Sequence, residues 1–282
     1  MTTPMPQVVS YVQSLLAEAG MSDPGNDAQA IVHAAVRDSV PAAVQARARA
    51  MAAARASGMP LAYVTGRVDF MGVELVSAPG ALIPRAETEL VGTMTLEALK
   101  ALPTDREIRL IDMCCGSGNL VSALAVTVPH VRAWASDLTE ESLRVARANV
   151  EHLGLQNRVE ILQSDLFAAL CGRGLEGTID VIVCNPPYIS STKLGRESAD
   201  LLVHEPQAAF DGGPYGVSIF QRVVRDALPF LTETGTLLFE IGAGQERAVS
   251  SLFTRSGQYG PLILGRNAEG VVRVVGASRK QD

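Results

Sequence analysis

The tetrapeptide Asn185-Pro186-Pro187-Tyr188 has the residue types needed to hold a planar NH2 group. The Asn185 side-chain carbonyl and the Pro186 backbone carbonyl can each accept one of its two hydrogens, and Tyr188 offers a flat face for a planar amide or amine. Pro186 and Pro187 fix φ and remove two competing backbone donors. The chemistry this suits is group transfer to nitrogen. Asn-Pro-Pro is also a common turn after a strand, so the tetrapeptide needs support from elsewhere in the chain.

That support comes from a second loop, Asp112-Met113-Cys114-Cys115-Gly116-Ser117-Gly118. Its small residues between a strand and a helix let a ligand lie against backbone, with Cys114, Gly116 and Gly118 as the close-approach positions. Nineteen residues beyond Gly118, Asp137 ends the next strand, followed by Leu138. A carboxylate there can accept from both hydroxyls of a ribose. A dinucleotide-binding oxidoreductase is the competing reading, but Val121 stands where the third glycine of G-x-G-x-x-G would be expected. Asp112 at the loop's entrance would repel phosphates and favour a ligand with ammonium and sulfonium groups. S-adenosylmethionine is such a ligand. Asp165, with Leu166 and Phe167 after it, can take an adenine amino group and cover its ring. The alternative for Asp137 and Asp165 is capping or turn formation.

The elements that must carry these loops are legible as alternating strands and helices. The run Val181-Ile182-Val183-Cys184 reads as a buried parallel strand ending at the tetrapeptide. Strands are expected at Ile108–Asp112, Val131–Ala135, Val159–Leu162, Thr236–Ile241 and near Leu262 and Val272. Helices are expected at Leu90–Leu99, from Leu120, at Glu140–Leu153, Val217–Leu228 and Gln245–Phe253. This pattern specifies an α/β, doubly wound, mostly parallel sheet. Upstream, residues 1–60 form a small Ala-rich helical domain, its helices separated by Gly20–Asn26 and the second limited by Pro41. Residues 61–80 form a β-hairpin linker from Ala62-Tyr63-Val64 and Val73–Val76, and 81–282 the main domain. A disordered tail extends at most over Arg279–Asp282.

With 47% hydrophobic and 19% charged residues the chain is an ordinary soluble protein, and its net charge of −6 opposes non-specific nucleic-acid binding. Cys114, Cys115, Cys171 and Cys184 lack the spacing of a zinc site or a disulfide framework, so no metal is expected and the compartment reads as cytoplasmic. The oligomeric state is not legible. The leader and long apolar span of a secreted or membrane protein are not found. Transfer of an activated methyl group needs alignment more than a strong base. His204 and Glu205 are the nearest titratable pair beyond the tetrapeptide, and Arg85 and Glu89 either contact ligand or pair with each other at a helix start.

From about Leu61 to Gly276 the chain resembles the glutamine-amide methyltransferase family of peptide-chain release factors. The resemblance is carried by Leu82-Ile83-Pro84-Arg85 with Thr88-Glu89, Asp112 with Gly116-Ser117-Gly118, Asp137, Asn149 and Asn185-Pro186-Pro187-Tyr188. It continues through Glu205-Pro206, Gly212-Gly213, Glu240-Ile241-Gly242 with Gln245, and Arg273-Val274-Val275. It implies a seven-stranded Rossmann-like sheet, S-adenosylmethionine as cofactor, and a Gly-Gly-Gln glutamine of a release factor as acceptor, clamped by Asn185 and Pro186. Arg85, Glu89, Pro187 and Glu205 would contact that substrate. Two departures stand out: Cys114 and Cys115 replace the usual glycine and threonine, and residues 1–60 contain no stretch matched to the family's helical domain. They keep open a relative acting on a small amine, amide or amino acid, including other chemistry on S-adenosylmethionine. A nucleic-acid adenine methyltransferase and a binding-only protein are further alternatives; the first would use the same Asn-Pro-Pro-Tyr loop.

Overall fold

An apolar run can form a strand only where both faces are covered, and Ile179–Cys184 (β6), apolar except for Asp180, is buried at every position. A computed structural model describes residues 5–192, 194, 203–213 and 216–281. The chain divides into two compact units, Met1–Val68 with Ser77–Pro79, and Asp69–Val76 with Gly80–Asp282.

The first unit contains α1 (Met5–Glu18), α2 (Pro24–Arg37), α3 (Val44–Ala56) and the short α4 (Leu61–Thr65). Val12, Leu16, Ile31, Val32, Ala48 and Ala52, spaced at helical intervals, form its core. The α1–α2 break is shorter than expected. Asp23 accepts from the Asn26 amide and Pro24 occupies the first helical turn, so the helix starts before Gly25. Ala62-Tyr63-Val64, expected as a strand, lies instead in α4. Pro60 presets the entry to that turn, and Gly66 in the left-handed conformation ends it. The hairpin strands are β1 (Arg67–Phe70) and β2 (Val73–Val76).

The second unit carries β3 (Ile108–Met113), β4 (Val131–Asp137), β5 (Val159–Gln163), β6, β7 (Leu231–Glu240), β8 (Tyr259–Arg266) and β9 (Val272–Arg279). Among them run α5 (Thr88–Lys100), α6 (Asn119–Thr127), α7 (Glu140–His152), α8 (Ser218–Ala227) and α9 (Glu246–Ser256). The seven strands lie in the order β5-β4-β3-β6-β7-β9-β8. All pairs are parallel from β5 to β7, and β9 inserts antiparallel between β7 and β8. Arg279 is the last residue of β9 and the Lys280 amide donates to the Gln258 carbonyl, so the chain is ordered beyond the expected start of the tail; Asp282 lies outside the described residues. No helix among the described residues is long and apolar enough to cross a membrane.

The strand order reverses between β3 and β6, which are direct neighbours with Met113 opposite Cys184. Their following loops must therefore diverge side by side from the sheet's C-terminal edge, leaving a crevice between them. Both loops singled out by residue type are the two at this switch point.

Candidate active site

The β3 loop is shaped by backbone conformation. Cys114, Gly116 and Gly118 have φ of 59°, 54° and 72°, all left-handed. Glycine adopts this region without penalty, whereas a side chain at Cys114 costs about 1–2 kcal/mol. The Gly116 amide donates to Asp137 Oδ2 at 2.9 Å, and Asp137 Oδ1 accepts from the Thr139 amide at 3.2 Å. One carboxylate thus ties the ends of β3 and β4 together. Gly118 does not face the crevice: a Cβ there would stand 3.1 Å from that of Ala146, so its bareness lets α6 meet α7. Asn149, fully buried on α7, donates to the Ser117 and Val76 carbonyls and accepts from the Val76 amide.

Asp112 departs from its expected place. It is 0% exposed, accepts from the Val121 amide in the first turn of α6 at 3.0 Å, and does not line the crevice. Its position favours a negative charge through the helix dipole, yet burial dominates and pushes its pKa up to about 7, with the nearby Asp137 adding to the rise. The electrostatic role expected for Asp112 at the loop's entrance is therefore not what its geometry offers; it anchors α6. Burial likewise raises the thiols of Cys115 and Cys184, which opposes nucleophilic chemistry there.

A cavity of about 470 Å³ fills the crevice, lined by Cys114, Gly116, Asp137, Leu138, Asp165, Leu166 and Asn185, with Leu82, Leu120 and Ile219 as further apolar walls. Its size and mostly apolar lining suit a nucleoside-sized ligand. Leu166 has a φ of 53°, a second strained side chain on this wall. The Ser164 hydroxyl holds the turn by donating to the Leu166 carbonyl at 2.6 Å and accepting from the Ala169 amide. Ser164 escaped the sequence reading, although a serine directly after a strand is a recognisable turn signal. Asp165 pairs with Arg222 of α8 at 2.9 Å, another residue the sequence reading missed.

Beyond Asn185 lies a second cavity of about 210 Å³, lined by Pro186, Tyr188, Thr88, Glu240 and Arg273 and sharing Asn185 and Arg85 with the first. Asn185 Nδ2 donates to Thr88 Oγ1 at 3.2 Å, which leaves its carbonyl oxygen as the end available to a ligand. The Tyr188 hydroxyl donates to Glu240 Oε1 at 3.0 Å and accepts from Arg273 at 3.3 Å. Burial raises the Tyr188 phenol, and it also raises the Glu240 carboxyl against the opposing pulls of Thr88, Tyr188 and Arg273. The tetrapeptide is clamped from behind. The Gln245 side chain donates to the Tyr188 carbonyl at 2.9 Å, and a Cβ at Gly212 would stand 2.7 Å from the Pro187 oxygen.

The remaining expected substrate contacts divide. Arg85 and Pro187 line the larger cavity. Glu205 is buried, accepts from the Ile83 amide at 3.0 Å and pairs with Arg85, so it fixes the 82–85 segment. Glu89 accepts from the Met71 amide at 3.0 Å; it neither pairs with Arg85 nor lines either cavity. His204 lines neither cavity as well.

Residues 91–213 match the Methyltransferase small domain, which makes the parallel sheet and its crevice those of a methyltransferase. The catalytic domain of hMettl16, solved with a MAT2A 3′UTR hairpin, shares the fold with a TM-score of 0.56 at 14% identity over 85% of this chain and 82% of that one. A release factor glutamine methyltransferase of Moorella thermoacetica is 38% identical over 73% of this chain and 70% of its own length. One of Streptomyces coelicolor is 33% identical over 87% of this chain and 88% of its own. The chain belongs to the release factor glutamine methyltransferase family. An alignment covering 87% of the chain must enter residues 1–60, so the N-terminal helices are not foreign to the family after all.

Proposed function

We propose that the protein transfers a methyl group from S-adenosylmethionine to the side-chain amide nitrogen of a glutamine in a peptide-chain release factor. The observation that carries this reading is the placement of Asn185 on the shared wall of two cavities, one nucleoside-sized and mostly apolar, the other small and bordered by Glu240, Arg273 and Tyr188. Cys114, Gly116, Asp137, Leu138, Asp165 and Leu166 would hold the cofactor, whose sulfonium supplies an electrophilic methyl carbon. The left-handed backbone at Cys114 and Gly116 and the Asp137 carboxylate fit such a ligand, while Asp112 and Gly118 support it from behind.

The nitrogen of a glutamine amide is a weak nucleophile because its lone pair is delocalised. Hydrogen bonds from its NH2 to the Asn185 carbonyl and the Pro186 carbonyl would orient it and draw charge onto nitrogen, with Tyr188 beside the amide plane. On gaining a methyl group the acceptor nitrogen would become acidic and would give its proton to water. A strong base is not required. The helical first unit is read as the part that selects the protein partner, in a cytoplasmic setting. Mass spectrometry after incubation with S-adenosylmethionine and a release factor carrying Gly-Gly-Gln tests the reading. One added methyl on that glutamine is the expected result; an unmodified factor would overturn it in favour of a small acceptor, and cofactor consumed by the enzyme alone would point to chemistry on S-adenosylmethionine itself.

A further inference from the structure

A proline fixes its own φ and holds the residue before it in an extended conformation. In Asn185-Pro186-Pro187 the two effects overlap, so the backbone from Asn185 to the φ of Pro187 is one stiff rod. The direction of the Pro186 carbonyl relative to the Asn185 backbone is thereby set within the tetrapeptide. The ψ of Pro187 is not, and it decides where Tyr188 stands. Resting on the transfer-to-nitrogen reading above, we propose that Gln245 is a positioning residue that holds Tyr188, and through it the plane in which the acceptor amide lies.

Gln245 occupies the N-cap of α9, where a side chain ordinarily accepts from the first helical amides, yet it makes no such bond. Its carboxamide turns toward the Asn-Pro-Pro-Tyr loop instead. Nε2 donates to the Tyr188 carbonyl at 2.9 Å and to the Gly216 carbonyl at 3.1 Å, while Oε1 accepts from the Gly242 amide at 2.9 Å. Two carbonyls and one amide leave the group a single way round, with its NH2 on the carbonyls. The same short segment holds Tyr188 at two further points. The Tyr188 hydroxyl donates to Glu240 Oε1 at 3.0 Å, and a Cβ at Gly242 would stand 3.0 Å from the ring. Residues 240–245 thus grip the backbone, the edge and the tip of one tyrosine.

The next residue is secured separately: the Ile189 amide donates to the Phe210 carbonyl at 3.0 Å, and the Ile189 carbonyl accepts from the Gly212 amide at 2.8 Å. With the ring tip anchored and Ile189 paired, the freedom left to Tyr188 is a rocking of its peptide group about the ψ of Pro187. The bond from Gln245 to the Tyr188 carbonyl opposes that motion. Tyr188 lines the small cavity together with Asn185 and Pro186, so a rocked ring changes the gap that the acceptor amide must fit. Misplacement by about 1 Å costs up to about 100-fold in rate where reacting groups are aligned by position.

The test compares wild type with Gln245→Leu, Gln245→Glu, Tyr188→Ala and the Tyr188→Ala/Gln245→Leu double variant, using the release factor and S-adenosylmethionine. Leucine removes all three bonds at similar bulk. Glutamate keeps an acceptor for the Gly242 amide but cannot donate to either carbonyl, and thermal melts exclude misfolded variants. Expected are kcat losses of about tenfold or more in both Gln245 variants with the cofactor Kd unchanged. In the Tyr188→Ala background, Gln245→Leu should cost less than about twofold more. Full kcat in Gln245→Leu or Gln245→Glu, a parallel loss of cofactor affinity, or losses that multiply in the double variant would overturn the inference. The ring resonances of 13C-labelled Tyr188, identified by their absence in Tyr188→Phe, are followed without any acceptor. They should move in both Gln245 variants, whereas a Gln245 that only stabilised the fold would lower the melting temperature and leave them in place. If wild type leaves the release factor unmodified, the functional reading fails and these resonances alone decide: their movement supports the hold of Gln245 on Tyr188 and their constancy sinks it.

Discussion

The loops after β3 and β6 leave neighbouring strands at the same edge of the sheet, yet they are built by opposite means. The first takes its shape from left-handed backbone at Cys114, Gly116 and Gly118, with Asp137 and Asn149 as side-chain ties to its backbone. The second takes its shape from two prolines and from side chains that arrive from α5, β7 and β9. A ligand laid against backbone needs room, and a loop made of conformation supplies it. A ligand gripped by directed hydrogen bonds needs side chains whose own orientation is fixed.

The sharpest way to break this contrast is Asn185→Ala. Loss of a directed acceptor should lower kcat by about 10²–10³-fold, while the cofactor Kd in calorimetry stays near wild type. A parallel loss of cofactor binding would show that the two loops are not separable. Gly118→Ala attacks the first loop through its backbone, adding a side chain at φ 72° and 3.1 Å from Ala146. About 2–4 kcal/mol of destabilisation is expected, read as a melting temperature lower by about 5–10 °C. Asp137→Ala removes the tie and a ligand acceptor together. Cofactor affinity should fall by about 10–100-fold, with kcat at saturation changing little.

Asp112→Asn probes the support behind the first loop by pH. The folded carboxyl holds its proton up to about pH 7, whereas the unfolded one loses it near about 3.9. Between those values the folded state binds more protons, so wild-type stability falls as pH rises through the window and levels off above it. Asparagine does not titrate. The melting temperature of the variant, measured from pH 5 to 8, should therefore gain steadily on wild type and stop gaining near pH 7. The smallest effect belongs to Cys114→Gly. Relief of left-handed strain is offset by glycine's greater chain entropy, leaving stability within about 1 kcal/mol and cofactor affinity equal or better.

These differences also explain what could be read from the sequence. The parallel sheet and both loops were legible because Val181–Cys184 and Ile108–Asp112 are short apolar runs ended by turn residues, a local signal. Asn185, Pro186 and Tyr188 announced themselves by type. The side chains that orient them did not, since Thr88, Glu240 and Arg273 are separated by long stretches of chain and meet only through the strand order. The backbone partners of Glu89 and Glu205 are hidden in the sequence for the same reason: a charged residue near a motif looks like a ligand contact until the amide it accepts from, that of Met71 or Ile83, is seen. The α4 turn was mistaken for strand because a five-residue segment is too short to display a helical period.

The insertion of β9 between β7 and β8 has a consequence for the making of the protein. β7 is synthesised well before its final neighbour, and until residues 272–279 emerge its outer edge has no native partner and Glu240 no nearby guanidinium. The small chamber beside Asn185, which Arg273 lines, is consequently completed only once β9 has emerged. A nascent chain halted before β9 owns every residue of the glycine loop and of the Asn-Pro-Pro-Tyr loop but lacks the Arg273 wall of that chamber.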